Sequence, residues 1–350
     1  MLDIFLGRCN DPNFWNQNIY WKPQKEQNPH LLISGMSGSG KTETLKVICH
    51  ELRNQGVPLL IFDFHNDFTA FGDNLINEKN IKIHPLQVLI GQKPKDVVYQ
   101  VSSILKHTFD SLTPVQEGTI RSAIKEFYKD SGIYDLSELN DGSIQLLPFL
   151  KFKDYLEAVS ADQRTLTSIN VKLDILFDYE VFSAQKDAIN FDSLMNKSTI
   201  FQLKNAPSDD VKQIVAELMI NKLINYSYHQ DQTKKIRLYC ILDEAHRMVY
   251  AGSPIDKLMR EARKYGIGVI LASQRATDFN EVLLANSGAI LTLKQNLAKD
   301  AKYIAKNKWG DPERLMNAKQ GEGYIRFSSE KRAIEVQIVP LSDRKLKGLG

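Results

Sequence analysis

Residues 35–42 have the residue types and the spacing of a phosphate-binding loop. Their sequence, GMSGSGKT, matches the pattern GxxxxGK[ST]; the apolar run LLI precedes it and the helical pattern TETLKVICHELRNQ follows. Glycines at these positions let successive backbone N–H groups point at phosphate oxygens near the positive end of the next helix. An ordinary Gly/Ser turn is the alternative, and the flanking patterns disfavour it. The residues predicted to bind the nucleotide are Gly35, Ser37, Gly38, Ser39, Gly40, Lys41, Thr42 and Glu43.

Two side chains of this loop have specific expected roles with ATP and Mg²⁺. Lys41 is expected to bridge the β- and γ-phosphates, which makes it a catalytic residue as well as a binding residue. The Thr42 hydroxyl is expected to bind Mg²⁺.

A nucleotide site of this type also needs a carboxylate at the end of another strand, and the segment RLYCILDEAH supplies two. Asp243 is the expected ligand that orients Mg²⁺ through water. Glu244 is the expected general base that polarises the attacking water. The alternative is that both acids cap the next helix. The adjacent glutamate favours hydrolysis coupled to work over a slow binary switch.

The string DEAH also occurs in the DEAH-box helicases, so the segment after it decides between two classes. The next apolar run ends in Ser273 and Gln274, where those helicases would have Ser-Ala-Thr. That class is therefore excluded. Gln274 is expected to contact the γ-phosphate or the catalytic water, and a polar cap at a strand end is its alternative role.

Composition limits the remaining classes of protein. The chain has 350 residues, of which 43% are hydrophobic, and a net charge of +3, too small for a wholly basic protein that coats nucleic acid. Its three cysteines lack CxxC spacing, which disfavours a disulfide framework and a structural zinc site. No apolar stretch approaches the ~20 residues of a membrane helix, and the N-terminus lacks a signal pattern. We expect a cytoplasmic protein without a membrane anchor.

Short apolar runs alternate with amphipathic segments, which predicts an α/β fold with a mainly parallel central sheet. The α/β core is expected to be formed by residues 1–95 and 190–350, interrupted by a helical insertion at residues 96–189. The tail GEGYIRFSSEKRAIEVQIV predicts a C-terminal β-hairpin. Asp63 is expected to end a strand next to the phosphate-loop strand. The predicted parallel strands are residues 30–34, 58–62, 198–203, 237–242, 266–272 and 289–293.

Five segments, in this order, resemble the HerA/FtsK superfamily of P-loop ATPases, and the HerA branch most. They are NPHLLISGMSGSGKTETL, LLIFDFHNDF, LYCILDEAH, LMREARKYGIGVILASQR and NSGAILTLK. The resemblance extends from about residue 22 to 340. It implies a RecA-like ATPase in a ring, usually a hexamer, that pumps double-stranded DNA or assists a partner nuclease.

Two features depart from the HerA pattern. The family's Glu-Gly-Arg-Lys stretch is Glu261-Ala262-Arg263-Lys264 here, and about thirty residues before the loop leave no room for the N-terminal β-barrel of HerA proteins. The chain is then either a fragment or a shortened branch. Similar modules occur in restriction and phage-defence proteins, and the strings HNDF and REARK suit that branch equally well.

A ring implies an arginine that reaches the nucleotide of the neighbouring subunit, which accelerates hydrolysis roughly 10³- to 10⁵-fold where it has been measured. Arg263 and Arg260 are the candidates, and the family pattern ranks Arg263 first. Arg275 is a third candidate. A solvated basic helix face is the alternative for Arg260 and Arg263.

Other polar residues carry weaker hypotheses. Asp63 is expected near the catalytic water or the metal's second coordination shell, and Asp67 is expected to cap a helix after a turn that contains His65. Lysines concentrate after the last parallel strand, where they either follow DNA phosphates or form a solvated helix face. These lysines are Lys294, Lys299, Lys302, Lys306 and Lys308.

Three functions therefore stay open: a DNA translocase or helicase-like motor, a regulatory ATPase that controls a restriction or defence partner, and a conjugation or secretion ATPase. The motor is the favoured one. The absence of a membrane segment disfavours the conjugation or secretion ATPase.

Overall fold

The computed structural model describes residues 1–11, 16–109, 112–179, 182 and 189–346. The chain divides into two compact units. The first comprises Met1–Leu75, Asp192–Lys204 and the chain from Asp231 onward, and the second comprises Ile76–Phe191 and Asn205–Gln230.

Within the described residues, eleven strands form one sheet in the first unit. The sheet order is β2-β1-β11-β10-β9-β3-β8-β7-β4-β6-β5. The strands are β1 (Ile4–Cys9), β2 (Asn18–Trp21), β3 (Leu31–Ser34), β4 (Leu59–Asp63), β5 (Asn74–Ile76), β6 (Thr199–Gln202), β7 (Thr233–Leu242), β8 (Tyr265–Ser273), β9 (Ala289–Leu293), β10 (Glu322–Phe327) and β11 (Ile334–Ile338).

The sheet is parallel in its centre and antiparallel on one side. Strands β9, β3, β8, β7, β4 and β6 pair in parallel. Strands β10 and β11 form the predicted C-terminal hairpin, which pairs with β9 on one side and with β1 on the other. Strands β3, β4 and β9 are buried along their whole length, as expected for parallel strands covered on both faces.

Strand β8 lies between β3 and β7, so the strand that precedes Gln274 separates the phosphate-loop strand from the strand that precedes Asp243. The expected position of Asp63 next to the phosphate-loop strand is wrong. Its strand, β4, is separated from β3 by both β7 and β8. In a sheet with crossover connections, sequence order does not fix spatial order.

The chain also forms twelve α-helices in its described part. They are α1 (Lys41–Asn54), α2 (Pro94–Thr108), α3 (Pro114–Asp130), α4 (Phe152–Val159), α5 (Gln163–Asp178), α6 (Phe191–Asn196), α7 (Asp209–Ser227), α8 (Pro254–Glu261), α9 (Glu281–Ala285), α10 (Ala298–Asn307), α11 (Pro312–Asn317) and α12 (Leu341–Leu346). None of the helices described is long and apolar enough to cross a membrane.

Helix α1 is held in place by its buried side chains, which pack with the sheet in one apolar core. Leu45, Ile48 and Leu52 are fully buried there together with Ile33 of β3 and Leu291 of β9. Full burial of such a side chain stabilises the fold by about 1.5–3 kcal/mol. This packing fixes the start of α1, and therefore the phosphate loop, against the ends of the parallel strands.

The second unit is helical and contains α2, α3, α4, α5 and α7. Its borders do not coincide with the predicted borders at residues 95 and 190, because residues 76–95 and helix α7 belong to it. Helix α7 packs against α2 and is buried on nearly all sides, with Val211, Leu218 and Leu223 at most 2% exposed. Its apolar spacing indicated a helix but carried no information about the unit it joins.

Candidate nucleotide-binding site

The phosphate loop connects β3 to α1 in the conformation that phosphate binding requires. Gly40, with φ of 100°, precedes the helix, and no side chain caps it. The first N–H groups of α1 have no intrahelical acceptor, so they are free to bind an anion. A Cβ atom at Gly35 would collide with the Ser39 hydroxyl, which explains the first glycine of the pattern.

Lys41 lies folded against the loop. Its Nζ donates to the carbonyl oxygen of Gly35 at 2.7 Å and to that of Met36 at 3.3 Å, and the residue is 7% exposed. Burial lowers the pKa of Lys41, while the charges of Asp243 and Glu244 raise it. The ammonium group and the acid pair are therefore electrostatically coupled.

Asp243 fits the role of an Mg²⁺ ligand. It directly follows β7, is 3% exposed, and its Oδ1 is buried without a hydrogen-bond partner. Burial, and next the charge of Glu244, raise the pKa of Asp243 to about 6, against the opposing effect of Lys41 and His65. A buried carboxylate oxygen without a donor, electrostatically coupled to a phosphate loop, suits a hard cation that also binds substrate phosphates.

Glu244 is held in an unusual conformation. Its φ of 68° and ψ of 41° are left-handed, which costs a residue other than glycine about 1–3 kcal/mol. Gln274 Nε2 donates to both carboxylate oxygens of Glu244 at 3.1 and 3.3 Å, and His246 Nδ1 lies 3.3 Å from Oε2. The side chain makes no helix-capping hydrogen bond, so capping does not explain this glutamate.

The strand order explains how these groups meet. The carboxyl ends of parallel strands share one edge of a sheet, and β3, β8 and β7 are neighbours there. This edge brings together Lys41, Asp243, Glu244 and Gln274. His246 was missed in the sequence, although the string DEAH already placed it two residues after the proposed base.

The other loop residues have different environments. The Ser39 hydroxyl is buried and has no hydrogen-bond partner, Thr42 is partly buried in the first turn of α1, and Ser37 is exposed. The Glu43 carboxylate accepts a hydrogen bond from the backbone N–H of Leu341 at 2.8 Å, so this side chain binds the C-terminal segment.

Asp63 organises its own loop. Its carboxylate accepts hydrogen bonds from the backbone N–H groups of His65, Asp67 and Phe68 at 2.8–3.2 Å. The turn expected here is present, but Asp67 does not cap a helix: it lies 3.7 Å from Lys46, and the short 3₁₀ turn that follows begins after Phe68. In the described part of the chain, no group of three or more His, Cys, Asp or Glu could hold a metal ion.

Two of the three candidate arginines, Arg260 and Arg263, lie at the opposite end of the sheet. Arg260 and Arg263 line a groove of about 890 Å³ beside the start of β8, and Arg263 Nη1 donates to Asn28 Oδ1 at 3.2 Å. Gln274 follows the other end of this nine-residue strand, roughly 30 Å away. These arginines therefore cannot reach the phosphate loop of their own chain. Arg275 instead lies 3.5 Å from the buried carboxylate of Asp300.

The lysines after the last parallel strand belong largely to α10 and its C-terminal end. Lys299, Lys302, Lys306 and Lys308 are exposed, whereas Lys294 is partly buried. Asp300 of the same helix is buried and accepts hydrogen bonds from Thr277, so α10 has one anchored face and one basic, exposed face.

Residues 12–223 match the family described as "Helicase HerA, central domain". The chain belongs to this family. Among its relatives, it is 25% identical to the DNA double-strand break repair helicase HerA of Sulfolobus acidocaldarius over 300 residues, which cover 79% of this chain and 57% of the relative. It thus spans little more than half the length of that relative.

Solved structures show the same fold. VirB4 of Thermoanaerobacter pseudethanolicus superposes with a TM-score of 0.74 at 21% identity, covering 96% of each chain. The plasmid coupling protein TrwB in complex with ADP and Mg²⁺ superposes with a TM-score of 0.64 at 14% identity, covering 91% of this chain and 86% of TrwB. The predicted RecA-like P-loop NTPase fold is confirmed. The match to the HerA family model confirms the predicted resemblance to HerA proteins.

Proposed function

We propose that this chain is the ATP-hydrolysing core of a ring-forming motor that acts on double-stranded DNA. The observation that carries the proposal is the meeting of Lys41, Asp243, Glu244 and Gln274 at one edge of the sheet, with Gln274 bonded to both oxygens of Glu244. A phosphate loop alone would support nucleotide binding. A glutamate held beside a buried metal-ligand candidate supports hydrolysis.

Each residue has one task in the proposed reaction. Lys41 exchanges its hydrogen bonds to the loop carbonyls for phosphate oxygens. Glu244 takes the proton of the attacking water, and its contacts with Gln274 and His246 orient the carboxylate. Thr42 and Asp243 would hold Mg²⁺, which neutralises charge on the β- and γ-phosphates.

The DNA part of the proposal is supported by the HerA relatives and by the exposed lysines of α10. One relative that matches is named as a helicase of DNA double-strand break repair. Lys299, Lys302 and Lys306 present the positive charge that a protein needs to follow a phosphate backbone. The finer parts of the proposal are a hexameric ring and a nuclease, restriction or antiphage-defence partner.

The test is ATP hydrolysis by the purified chain with Mg²⁺, in the presence and absence of duplex DNA. We expect duplex DNA to stimulate hydrolysis at low salt and the stimulation to disappear at high salt. Lys41→Ala should lose nucleotide affinity. Glu244→Gln should bind ATP while hydrolysing it about 10²- to 10⁴-fold more slowly.

Two matched variants control for general damage. Lys46→Ala removes another amine of α1, and Glu281→Gln changes an exposed carboxylate of α9; both should hydrolyse ATP like the wild type. Equal hydrolysis by the wild type, Lys41→Ala and Glu244→Gln would remove the catalytic assignment. An equal rate of hydrolysis with and without duplex DNA would favour the regulatory ATPase instead.

A further inference from the structure

Helix α10 is attached to the nucleotide site at two points. In the segment that leads into the helix, the carbonyl oxygen of Lys294 accepts a hydrogen bond from the Met36 N–H of the phosphate loop at 2.9 Å. On the buried face of the helix, Asp300 is 1% exposed and accepts hydrogen bonds from the Thr277 hydroxyl and N–H at 2.9 and 3.0 Å. The helix therefore contacts both the phosphate loop and the turn after β8, which comprises residues 274–279.

The turn after β8 fixes the backbone of Gln274. The Ser273 hydroxyl donates to the Asp278 carboxylate, and the Arg275 N–H donates to the same carboxylate at 3.3 Å. Asp278 thus bonds to the residues on both sides of Gln274. Because the turn is short and bonded within itself, a shift of Thr277 is transmitted to Gln274, whose side chain binds the proposed general base.

The buried carboxylate of Asp300 ties α10 firmly to this turn. Burial of a charge is costly unless hydrogen bonds or an opposite charge compensate for it. The compensating groups are the two Thr277 donors and Arg275, whose Nε lies 3.5 Å from the Asp300 carboxylate, and all belong to the turn. The Tyr303 hydroxyl adds a hydrogen bond to the Phe279 carbonyl oxygen at 3.3 Å. Helix and turn therefore move together, since separation would leave the carboxylate buried and unpaired.

The exposed face of α10 carries positive charge. Lys299, Lys302 and Lys306 are exposed and recur at the three- and four-residue spacing that places side chains on one face of a helix. Lys299 directly precedes Asp300, so one turn of the helix contains both an exposed cation and the buried anchor. A polyanion that binds this face therefore pulls on a helix whose other face is bonded to the turn after β8.

We propose that Asp300 is a positioning residue through which double-stranded DNA, bound to the lysines of α10, sets the placement of Gln274 and thereby the rate of ATP hydrolysis; this inference rests on the proposed function. DNA that shifts α10 shifts Thr277 with it. Gln274 then changes its hydrogen bonds to Glu244, which reorients the base. Each step of this route is a hydrogen bond or a few residues of chain, as coupling through a contiguous network requires.

Substitutions on both sides of the contact test the proposal. Asp300→Ala removes the carboxylate, and Asp300→Asn keeps an oxygen that can accept from Thr277. Thr277→Val removes one hydroxyl donor and preserves the shape of the side chain, so it reports on the contact if Asp300→Ala fails to fold. Asp311→Ala is the matched control, because its carboxylate also accepts two backbone hydrogen bonds, from Glu313 and Arg314 at the start of α11.

Two quantities are measured for each purified full-length variant at low salt. The first is the ratio of ATP hydrolysis rates with and without duplex DNA, and the second is the Kd for the same DNA by fluorescence anisotropy. A purely structural defect lowers the fraction of active protein and therefore both rates equally, which leaves the ratio unchanged. The ratio thus separates positioning of Gln274 from general damage.

We expect Asp300→Ala to lose the stimulation by DNA, a coupling of about fivefold or more in the wild type, and to keep its DNA affinity because the lysines remain. Thr277→Val should lose part of the stimulation, and Asp300→Asn should recover part of it. Asp311→Ala should keep the wild-type ratio. The triple variant Lys299→Ala, Lys302→Ala, Lys306→Ala should lose DNA affinity and stimulation together.

The proposal is overturned if Asp300→Ala and Thr277→Val keep the wild-type ratio, if Asp300→Ala loses DNA affinity as the triple lysine variant does, or if Asp300→Asn recovers no stimulation. A wild-type chain that hydrolyses ATP at the same rate with and without DNA would remove the DNA part of the proposed function itself. Wild-type stimulation that persists in Asp300→Ala would remove this inference alone.

Discussion

At the scale of single residues, the burial of the ionised Asp243 carboxylate destabilises the fold. This carboxylate is buried, one oxygen has no hydrogen-bond partner, and its pKa is raised to about 6. A raised pKa means that the folded chain prefers the protonated acid. The ionised form therefore destabilises the fold until a cation or a phosphate-bound metal compensates for it.

We expect Asp243→Asn to stabilise the chain when Mg²⁺ and nucleotide are absent. The cost of ionisation is absent below about pH 4, grows as the pH rises towards 6, and is complete above it. At pH 7.5 the variant should gain on the order of 3 kcal/mol in unfolding free energy, and near pH 4 it should match the wild type. Thermal unfolding across this pH range measures the difference.

The exposed variant Asp343→Asn is the matched control for the loss of a carboxylate, and it should change the unfolding free energy by less than about 0.5 kcal/mol. A stability gain of Asp243→Asn that persists unchanged at pH 4 would show that burial of charge is not its cause.

The sequence predicted which residues form the site but not the geometry around Glu244. Residue type and spacing predicted Lys41, Asp243, Glu244 and Gln274 as chemically important, because phosphate loops and strand-end acids have short local patterns. The left-handed backbone of Glu244 and its two hydrogen bonds from Gln274 follow from the packing of β7 beside β8. No local pattern encodes a contact between residues thirty positions apart.

At the scale of elements, α12 is tied to the fold through Arg344. Its guanidinium is fully buried and donates to the carbonyl oxygens of Phe5, Leu6 and Val339 and to the Glu51 carboxylate, all at 2.7–2.9 Å. The cation thus joins the C-terminal helix, β1 and α1. It also anchors the segment that carries the Leu341 contact to the phosphate-loop helix.

Arg344→Met should lower the unfolding free energy by about 3 kcal/mol, because it leaves Glu51 buried without its cation and removes the guanidinium donor from three carbonyls. Lys22→Met, which breaks the exposed pair with Asp3, should cost less than about 1 kcal/mol. The double variant Arg344→Met, Glu51→Met should recover part of the loss, since it removes the unpaired charge. Thermal unfolding midpoints compare the three proteins, and similar losses in Arg344→Met and Lys22→Met would contradict this account.

The elements differ in how far the sequence predicted them. All six parallel strands were predicted within a few residues of their bounds, because buried strands are short, continuous apolar runs flanked by turns. Strands β1 and β2 were missed: NIYW is only four residues long, and IFLGRC was considered only as part of a possible signal sequence. Strand β1 pairs with β11, whose residues lie more than three hundred positions away, and β2 pairs with β1.

At the scale of the whole molecule, β8 connects two sites. One end of this strand leads to Gln274, which binds the proposed general base, and the other end begins beside the groove that contains Arg260 and Arg263. In a ring, β8 would then connect the nucleotide site of its own subunit to the two arginines that contact the nucleotide of the neighbouring subunit. Because the arginines lie roughly 30 Å from their own phosphate loop, any role in hydrolysis must be in trans.

Arg263→Ala should therefore leave ATP binding intact and lower the rate of hydrolysis by about 10³-fold, since it removes the positive charge offered to the neighbour's γ-phosphate. Lys264→Ala, one residue on in the same groove, is the matched control and should change the rate far less. Turnover per subunit by the wild type should also rise with protein concentration as rings assemble.

Mixing two inactive variants distinguishes action in trans from damage in cis. Glu244→Gln subunits retain Arg263, and Arg263→Ala subunits retain Glu244, so a mixed ring contains boundaries where an intact base faces an intact arginine. We expect the mixture to hydrolyse ATP faster than either variant alone, in proportion to the fraction of such boundaries. If the mixture is no more active than its parts, Arg263 acts within its own chain or only in folding, and the distance along β8 excludes the first.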